Sequence, residues 1–491
     1  MSTSVRNKDK VKIETRTKIV CTLGPASESE TTLKQMMDAG MDVARINCAH
    51  GSYEEYKKRI GTLRTLSDKI AVLVDLAGPK IRVGEMAQNV FLQENSEIVL
   101  TTKKIVGNEQ TIPQSYEELP CRVKKGDTIF IDEGLIQLEV LSIPNEEEIV
   151  NRVVKGGPLR SKRGINVPGA PLLRIPTPKD YKDIRTGIEL GADYFGISFV
   201  KSREDVERIK EIISDHGEEI PVISKIETVE ATEQFDEILQ VSDGIMVARG
   251  DLGVELLPEK VPLIQKKLIK KCNIVGIPVI VATQMLESMI EKPRPTRAEA
   301  SDVANAVLDG ADAIMLSGET AVGRYPVQAV KVMDQIASIA EKAIPRTYQS
   351  ESEAQSVAEV IGECVNLAVD RQIINAVIVS TKTGFSCRMI SKLRPKAPII
   401  ATTPFKSIYR RSSLVWGVTP LLMKEMSNST DERVYHSIKA AVEKGLINHD
   451  DTIAYVAGSL LGTAIMTETN LFQIYKVATV LDSVKVIQRF D

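Results

Sequence analysis

The sequence predicts a (β/α)₈ barrel, in which eight parallel strands close into a ring surrounded by helices, together with two smaller domains. Between residues 18 and 318, eight short apolar runs alternate with amphipathic stretches, which is the pattern of repeated βα units. The runs are almost continuously apolar and rich in β-branched residues, as expected of parallel strands covered on both faces. An open doubly wound sheet with extra strands is the structural alternative.

The predicted barrel strands can be assigned individually. They are KIVCTL (18–23), DVARIN (42–47), IAVLVDL (70–76), YFGISF (194–199), PVISKI (221–226), GIMVAR (244–249), PVIVAT (278–283) and AIMLSG (313–318). Two intervening helices have capping-box signals at their starts, Ser27 with Glu30 and Thr296 with Glu299. We expect these helices to end at Gly40 and Gly310.

A β-rich segment interrupts the alternation once, after the third strand. DTIFIDEG (127–134) and LIQLEVLSI (135–143) have the pattern of antiparallel strands, and residues 156–171 form a Gly- and Pro-rich return. The segment is predicted to be a small β-barrel domain. Because it follows a barrel strand, it leaves the barrel at the C-terminal face, where it can act as a lid.

The last third of the chain has a separate α/β pattern. A helix at about 354–370 precedes the strand-like runs AVIVST (376–381), PIIATT (398–403) and TIAYVAG (452–458), as in an open α/β sheet. The predicted domains are the barrel (1–79 and 173–345), the inserted lid domain (80–172) and a C-terminal α/β domain (346–491).

Composition excludes several classes of protein. The chain has 491 residues and a formal net charge of −3, without the basic excess of a nucleic-acid-binding protein. Its polar start, MSTSVRNKDK, lacks the apolar core of a signal peptide, and no apolar run is long enough to cross a bilayer. Six scattered cysteines without a C-x-x-C pair indicate buried thiols in a reducing compartment. We expect a soluble cytoplasmic protein with no nucleic-acid or membrane partner.

Polar residues gather at the C-terminal ends of most of the predicted barrel strands. They are Arg45, Asn47, Asp75, Lys225, Glu227, Arg249, Gly250, Asp251, Thr283, Ser317 and Glu319. A single charged residue at a strand end is more often solvated than catalytic. In a closed barrel, however, all these ends converge on one mouth, so the sequence predicts an active site there.

Lys225, Glu227 and Asp251 carry the most information about chemistry. Lys225 and Glu227 alternate along one strand and so project to the same side. Two carboxylates suit a hard divalent cation, and a lysine beside it can neutralise charge on a transferring phosphoryl group. A buried Lys–Glu ion pair is the alternative.

Other residues at the mouth give weaker signals. The glycines of ARGDLG (248–253) let backbone amides approach a carboxylate or phosphate, although Gly-Asp is also ordinary turn chemistry. Arg45 can hold a phosphate. His50 is more often structural than catalytic by base rate.

Six segments closely resemble the pyruvate kinase family. They are KIVCTLGPAS (18–27), VARINCAHG (43–51), ISKIE (223–227), DGIMVARGDLGVE (243–255), ATQMLESMIEKPRPTRAE (282–299) and DVANAVLDGADAIMLSGET (302–320). The resemblance runs along the whole chain, most specifically in the barrel and least after residue 345. It implies phosphoryl transfer from phosphoenolpyruvate to ADP, followed by protonation of the enolate, to give pyruvate and ATP.

The resemblance also implies roles for individual residues. Lys225 would stabilise the phosphoryl group in transfer, Arg45 would contact the phosphate, and Glu227 and Asp251 would bind Mg²⁺ or Mn²⁺. The substrate carboxylate would be held by Gly250, Asp251 and Thr283. The route of proton delivery would pass near Thr283, Ser317 and Glu319. The nucleotide would be contacted by Asn47, Cys48, Ala49, His50, Arg82 and Arg163.

The chain departs from the family at the monovalent-cation site. Members that require K⁺ coordinate it with Asn, Ser, Asp and Thr, and the corresponding positions here are Asn47, Ala49, Asp75 and Leu76. Two oxygen ligands are therefore missing, and Lys80 replaces a glutamate of the K⁺-requiring members. We expect the Lys80 ammonium to substitute for K⁺ and predict activity without this ion.

The C-terminal domain resembles the family's regulatory domain, in which a loop binds sugar phosphate. The candidate residues in STKTGFS (380–386) are Thr381, Lys382, Thr383, Gly384 and Ser386. The segment follows a strand and opens a helix, which suits an anion, but helix capping by Thr383 or Ser386 is the alternative. Phe385 stands where effector-binding members commonly have a basic residue, and the loop 458–470 also departs from the common pattern. The identity of a phosphorylated effector stays open, and the expected assembly is the family's usual homotetramer.

Three other functions fit parts of the pattern. A lyase or aldolase acting on phosphoenolpyruvate or a 2-oxoacid would share the metal and the enolate, but would not need nucleotide contacts from an inserted domain. A Schiff-base aldolase would use Lys225 as its nucleophile, which borohydride trapping would reveal. A non-catalytic sensor would not need the catalytic residues that this chain retains.

Overall fold

The computed structural model describes residues 15–132, 134–168, 175–344, 356–427, 429–458 and 469–487. The barrel begins with strands β1 (Lys18–Thr22), β2 (Val43–Asn47) and β3 (Ala71–Asp75), separated by helices α1 (Glu30–Asp38) and α2 (Tyr53–Leu66). These strands pair in parallel, and β1 and β3 are buried along their whole length, as expected for strands covered on both faces.

The start of α1 differs from the prediction. Ser29 is the N-cap, and its hydroxyl accepts a hydrogen bond from the Thr32 amide at 3.1 Å. Ser27 instead ends a 3₁₀ turn, where its buried hydroxyl accepts a hydrogen bond from the Gly24 amide at 3.0 Å. The predicted capping box of Ser27 and Glu30 was therefore wrong, because the preceding turn already uses the Ser27 hydroxyl.

The inserted domain follows β3 and contains mostly short strands. Its elements are β4 (Ile81–Arg82), β5 (Val90–Leu92), β6 (Glu97–Thr101), β7 (Thr111–Pro113), α3 (Leu119–Arg122), β8 (Thr128–Ile131), β9 (Ile136–Asn145), β10 (Glu148–Lys155), β11 (Gly157–Leu159) and β12 (Gly164–Asn166). Seven strands form one mixed sheet in the order β4-β12-β8-β9-β10-β6-β7. A bridge between Val83 and Gln114 joins its two edges, so the sheet curls around its own apolar core. The predicted antiparallel pair is β8 with β9.

The barrel resumes after the insertion. Its elements are α4 (Pro178–Glu189), β13 (Tyr194–Ile197), α5 (Arg203–Asp215), β14 (Val222–Ile226), α6 (Val229–Glu233), α7 (Phe235–Val241), β15 (Gly244–Ala248), α8 (Arg249–Glu255), α9 (Val261–Val275), β16 (Val279–Ala282), α10 (Arg297–Leu308), β17 (Ala313–Leu316), α11 (Gly318–Ala321) and α12 (Pro326–Ala340). The closed sheet has the order β1-β17-β16-β15-β14-β13-β3-β2, which confirms all eight predicted strands. The predicted capping box of Thr296 and Glu299 opens α10, and Gly310 follows its end at a φ of 96°.

The interior of the barrel explains why the mouth is polar. Val20, Val43, Leu73 and Ile223 belong to one apolar cluster contributed by the barrel strands. Successive side chains of a strand alternate between its two faces, so the residue two positions further on returns to the interior. In these four strands that residue is polar or charged: Thr22, Arg45, Asp75 and Lys225. The interior is thus apolar below and charged at its C-terminal end.

The C-terminal domain is an open sheet with helices. Its elements are α13 (Val357–Asp370), β18 (Ala376–Ser380), α14 (Phe385–Ser391), β19 (Ile399–Thr403), α15 (Lys406–Arg411), β20 (Val418–Leu422), α16 (Thr430–Glu443), β21 (Thr452–Gly458), β22 (Thr469–Lys476) and α17 (Val477–Ile487). The strand order is β20-β19-β18-β21-β22, with only β22 antiparallel among the described strands. Most of the loop 458–470 lies outside the described residues.

No helix in the described ranges is long and apolar enough to span a membrane. The domain limits at residues 79/80, 172/173 and 345/346 stay predictions.

Candidate active site

Asp75 is the centre of a buried charge cluster at the ends of β2, β3 and β14. Its Oδ2 accepts a hydrogen bond from Arg45 Nε at 2.7 Å, and its Oδ1 lies 3.4 Å from Lys225 Nζ. Arg45 also donates to Thr22 Oγ1 at 2.9 Å. Asp75 is 1% exposed, Arg45 7% and Lys225 8%. Because buried charges are costly without partners, one carboxylate that serves two cations fixes both of them at the mouth.

Lys225 has two further polar partners. Its Nζ donates to Ser198 Oγ at 2.7 Å and lies 2.8 Å from Glu227 Oε1, so Lys225 and Glu227 point to the same side, as predicted. Glu227 Oε2 accepts a hydrogen bond from the Phe199 amide at 2.9 Å. Burial lowers the pKa of Lys225, but the carboxylates of Asp75 and Glu227 outweigh it and leave the pKa raised. The lysine is therefore a cation at neutral pH.

Asp251 lies at the rim of the same site, in the first turn of α8. Lys80, at the start of the inserted domain, donates from Nζ to Asp251 Oδ1 at 2.9 Å. Burial raises the pKa of Asp251, but the positive charges of Lys80 and Lys225 outweigh it and lower the pKa. The pKa of Glu227 is raised, because burial and the Asp251 charge together exceed the effect of Lys225. The two carboxylates thus repel each other, and an added cation would relieve that repulsion.

Thr283 connects the ends of β15 and β16. Its Oγ1 accepts a hydrogen bond from the Gly250 amide at 2.8 Å and donates to the Ala282 carbonyl at 2.6 Å. The hydroxyl therefore lies beside the first turn of α8, which carries Asp251. The structure brings Gly250 and Thr283 into contact, with Asp251 next in the chain, and their role in holding a substrate carboxylate stays a prediction.

Glu319 and Ser317 lie at the end of β17. Glu319 is 3% exposed, and its two oxygens accept hydrogen bonds from the Leu286 amide at 3.0 Å and the Ser317 amide at 2.8 Å. Glu319 therefore ties the ends of β16 and β17 together. The hydroxyl of Ser317 is buried and has no hydrogen-bond partner among the residues that the structure describes.

The predicted nucleotide residues of the barrel lie in the turn after β2. Asn47 Oδ1 accepts a hydrogen bond from the Ala49 amide at 3.0 Å, and the Cys48 carbonyl accepts one from Lys179 Nζ at 2.7 Å. His50 is exposed, so its side chain is available to a ligand. Its pKa is lowered by partial burial and by the positive charges of Arg82, Lys80 and Arg45.

The other two nucleotide candidates belong to the inserted domain. Arg82 donates from Nη1 to the Lys162 carbonyl at 3.0 Å, and Arg163 lies 3.4 Å from Asp132. The effect of Arg82 on His50 shows that the inserted domain brings positive charge to the turn after β2.

Two profiles of one protein family match the chain. The profile described as "Pyruvate kinase, barrel domain" matches residues 14–330, and "Pyruvate kinase, alpha/beta domain" matches residues 358–475. The chain belongs to the pyruvate kinase family. It is 45% identical over 481 residues to a pyruvate kinase of Bacillus licheniformis, covering 95% of this chain and 81% of the relative. A pyruvate kinase of Geobacillus stearothermophilus is also 45% identical, over 482 residues with the same coverage. One from Staphylococcus aureus (strain MRSA252) is 43% identical over 474 residues, or 94% of this chain and 80% of the relative. Family membership makes the protein a phosphotransferase.

The candidate monovalent-cation substitute, Lys80, contacts a different partner from those expected. Its described hydrogen bond goes to Asp251, whereas Asp75 binds Arg45 and Lys225. Leu76, at the position of a family K⁺ ligand, is 2% exposed and apolar. The ammonium of Lys80 still brings a positive charge to the mouth.

The candidate effector loop satisfies much of its own hydrogen bonding. Thr381 Oγ1 accepts a hydrogen bond from the Gly384 amide at 2.9 Å, and Thr383 Oγ1 accepts one from the Phe385 amide at 3.4 Å. The hydroxyls of Ser386 and Thr469 lie 2.6 Å apart. Lys382 is exposed at the tip of the loop.

Sequence reasoning missed Ser198, Thr22 and Lys179. Ser198 directly follows β13 and bonds Lys225, so the strand-end argument could have found it. Thr22 ends β1 and bonds Arg45, and the same argument applies. Lys179 lies in the first turn of α4, and no strand-end pattern identifies it.

Proposed function

We propose that the chain transfers the phosphoryl group of phosphoenolpyruvate to ADP, giving pyruvate and ATP in the last step of glycolysis. The observation that carries the proposal is the buried cluster of Arg45, Asp75, Lys225 and Glu227 at the barrel mouth, in a chain of the pyruvate kinase family. Two cations held side by side in a mostly buried site are suited to the charge that develops on a transferring phosphoryl group.

The residues present fit a divalent cation, Mg²⁺ or Mn²⁺, held by Glu227 and Asp251. Glu227 is 1% exposed and its Oε1 faces the Lys225 ammonium at 2.8 Å, yet burial and the charge of Asp251 leave its pKa raised, so a cation held by both carboxylates would stabilise them. Magnesium is commonly held by one or two carboxylates, with phosphate and water as its other ligands. When bound, the cation would neutralise charge on the phosphate oxygens.

The chain's own side chains would share the remaining work. Arg45 would hold the phosphate, and Lys225 would neutralise the phosphoryl group as its bond to the enol oxygen breaks and a bond to ADP forms. The amides of Gly250 and Asp251, with Thr283, would hold the substrate carboxylate, which would replace the acceptors that the Gly250 amide and the Thr283 hydroxyl now have. The enolate then takes one proton at C3 to become pyruvate.

Three residues would lie near the proton-delivery route, and their contacts differ. Both oxygens of Glu319 are held by backbone amides, whereas the buried Ser317 hydroxyl has no partner in the described part of the chain. Thr283 Oγ1 already bonds the Gly250 amide and the Ala282 carbonyl, so we favour the Ser317 hydroxyl over Thr283 and Glu319 as the group that faces the reacting carbon.

The nucleotide would lie between the barrel and the inserted domain. Residues 47–50 would contact it from the barrel, and Arg82 and Arg163 from the inserted domain. These two arginines favour a kinase over a lyase, because a lyase needs no nucleotide contacts. We also infer a cytoplasmic homotetramer with a phosphorylated effector at residues 381–386, on the strength of the family resemblance.

We further propose that activity does not require K⁺. Ala49 and Leu76 lack the oxygen ligands of K⁺-requiring members, and Lys80 brings an ammonium group to Asp251 at 2.9 Å. A permanent positive charge at the rim takes the place of a bound monovalent cation.

The test is pyruvate formation from phosphoenolpyruvate and ADP with Mg²⁺, in KCl or in tetramethylammonium chloride at equal ionic strength. We expect equal activity in both salts and a loss of about 1,000-fold in Lys225→Met. Lys210→Met is the matched control, because Lys210 pairs with Asp243 away from the mouth.

Strong activation by KCl would contradict the K⁺ proposal alone. Absence of pyruvate from the folded wild type, with either divalent cation, would contradict the assigned reaction. Borohydride trapping at Lys225 would then separate the Schiff-base aldolase from the metal-dependent lyase.

A further inference from the structure

The turn after β16 has an unusual backbone. Thr283 and Gln284 have φ angles of 67° and 54°, so two consecutive non-glycine residues adopt the left-handed conformation. Residues other than glycine rarely adopt this backbone conformation, and it persists only where the surrounding structure holds it. Thr283 is also the residue whose hydroxyl meets the Gly250 amide. A contact that holds this turn therefore also controls the position of the Thr283 hydroxyl.

Arg249 makes that contact. From the first position of α8, its Nη2 donates to the Thr283 carbonyl at 2.7 Å and to the Gln284 carbonyl at 3.2 Å. Its Nη1 donates to Asp302 Oδ1, on α10, at 2.7 Å. The Arg249 side chain is 11% exposed, whereas the Asp302 side chain is 38% exposed, so the guanidinium is largely buried and its carboxylate partner reaches solvent.

The position of Arg249 in the chain links it to the substrate groups. Gly250 and Asp251 follow it directly, so the residue that holds the Thr283 turn also begins the helical turn that presents their amides. The far side of the same turn is held independently, because Glu319 accepts a hydrogen bond from the Leu286 amide. Arg249 thus connects α8 to this turn, because its side chain donates to the backbone carbonyls of Thr283 and Gln284.

We propose that Arg249, held by Asp302, is a positioning residue that sets the Thr283 hydroxyl against the Gly250 and Asp251 amides. The proposal rests on the proposed function, in which these groups hold the carboxylate of phosphoenolpyruvate or pyruvate. Loss of Arg249 should then weaken steps that depend on this carboxylate, and should spare the nucleotide, whose proposed contacts lie on other elements.

Two assays separate these effects. Steady-state kinetics give KM for phosphoenolpyruvate and for ADP. Proton NMR in D₂O, with Mg²⁺ and inorganic phosphate, follows exchange at C3 of pyruvate. That exchange removes one proton to form the enolate and returns one deuteron from solvent, so it consumes no other reactant.

For Arg249→Ala we expect C3 exchange and kcat/KM for phosphoenolpyruvate to fall about 100-fold, because a small misplacement of a substrate-holding group has an effect of this order. The KM for ADP should stay within about twofold. Arg249→Lys should be intermediate, since one ammonium cannot match a guanidinium that bridges two carbonyls and a carboxylate. Asp302→Asn should show the same pattern more weakly and provides a variant that keeps the arginine.

Added guanidinium ion offers a readout that a purely structural role would not move. Arg249, Gln284 and Asp302 line a groove of about 770 Å³. Low millimolar guanidinium chloride, compared with NaCl, should enter the space left in Arg249→Ala and restore part of the exchange rate. Lys266→Ala is the matched control, because Lys266 lines the same groove but pairs with Asp309.

Normal exchange in Arg249→Ala and Asp302→Asn, beside an active wild type, would overturn the positioning role and leave the proposed function intact. An equal loss for both substrates without guanidinium rescue would overturn it as well. A wild type that forms no pyruvate would instead contradict the proposed function, and the role of Arg249 with it.

Discussion

The barrel mouth and the loop at residues 381–386 both lie at the carboxyl ends of parallel strands, yet the polar groups of the two regions differ in their hydrogen bonding. At the mouth, the buried Ser317 hydroxyl has no hydrogen-bond partner among the described residues, and the buried Asp75 Oδ1 and Glu227 Oε1 share one ammonium, Lys225 Nζ, at 3.4 and 2.8 Å. In the loop, the hydroxyls of Thr381 and Ser386 each have a partner within the C-terminal domain.

The contrast indicates which of these strand ends is organised around a ligand. An unsatisfied buried polar atom costs free energy, so it persists where a ligand offsets the cost or where function requires it. A loop whose buried hydroxyls already have partners within the same domain carries no such cost. Position at a strand end identifies both regions, whereas the Ser317 hydroxyl and the two carboxylates that share Lys225 distinguish the mouth from this loop.

The largest effect should come from removing the charge at the centre of the mouth. In Asp75→Asn the side chain can still accept a hydrogen bond from Arg45 but no longer balances Lys225, which lies 3.4 Å away. We expect kcat to fall about 100-fold or more, since two preorganised cations lose their shared partner. Because Asp75 helps to raise the pKa of Lys225, the alkaline limb of the pH–rate profile should move to lower pH.

Asp42→Asn is the matched control for this change. Asp42 also bonds a lysine and a backbone amide of the barrel, with Lys18 Nζ at 3.7 Å and the Ile19 amide at 3.0 Å, but it precedes β2 at the opposite end. If both variants retain activity, the buried cluster is structural and the contrast with the loop is lost. If both lose activity, the loss reflects the fold and not the mouth.

The parts of this contrast that sequence could predict follow from strand periodicity. Apolar β-branched runs located all eight barrel strands, and the two-residue alternation put Lys225 and Glu227 on one side. Strand periodicity could not predict which of two local structures would use the Ser27 hydroxyl. Nothing in the sequence showed that the Pro25–Ser27 turn, and not the following helix, would bind it. The partner of Lys80 was equally hidden, since Asp251 lies 171 positions away and meets it only through the placement of the inserted domain.

The C-terminal domain shows where periodicity is a weak guide. Strand β20 contains Pro420, and β22 is an antiparallel edge strand that is only partly buried. Neither has the continuous apolar run that marks a buried parallel strand, so both escaped prediction.

A smaller effect should appear at Glu255, whose carboxyl lies near the mouth. Burial and the charge of Glu230 raise the pKa of this carboxyl to about 7. Lys201 and the Asn166 side chain oppose this rise, and Asp251 adds to it. Since the unfolded pKa is lower, the folded chain binds more protons between about pH 4.5 and 7, and the free energy of unfolding falls as pH rises through that range. The free energy of unfolding of Glu255→Gln should therefore fall by up to about 3 kcal/mol less than that of the wild type over this range.

Thermal melting with EDTA at pH 5 and pH 8 measures the effect without a bound divalent cation. We expect the wild type to lose more stability than Glu255→Gln between the two pH values, so the variant should melt higher at pH 8. Glu259→Gln, an exposed glutamate one turn further on, should follow the wild type. Parallel curves for all three proteins would show that burial of Glu255 carries no electrostatic cost.

The smallest effect should come from the loop at residues 381–386, whose hydroxyls already have hydrogen-bond partners within the C-terminal domain. In Thr381→Val the Gly384 amide loses its 2.9 Å acceptor, which costs about 1 kcal/mol of local stability. Basal pyruvate formation should stay within about twofold, because the loop bonds nothing at the mouth in the described contacts. Lys382→Ala should change basal activity equally little, and its control is Lys424→Ala, which follows β20, two strands away in the same sheet.

A panel of sugar mono- and bisphosphates then sharpens the contrast between the two regions. An effector site at this loop requires that an anion replace the internal bonds, so Thr381→Val and Lys382→Ala should lose an activation that Lys424→Ala retains. Activation that survives in both loop variants would place the effector elsewhere. A large loss of basal activity in Thr381→Val would mean that the loop is coupled to the mouth even without a ligand. The internal hydrogen bonds of the loop would then be part of the active conformation.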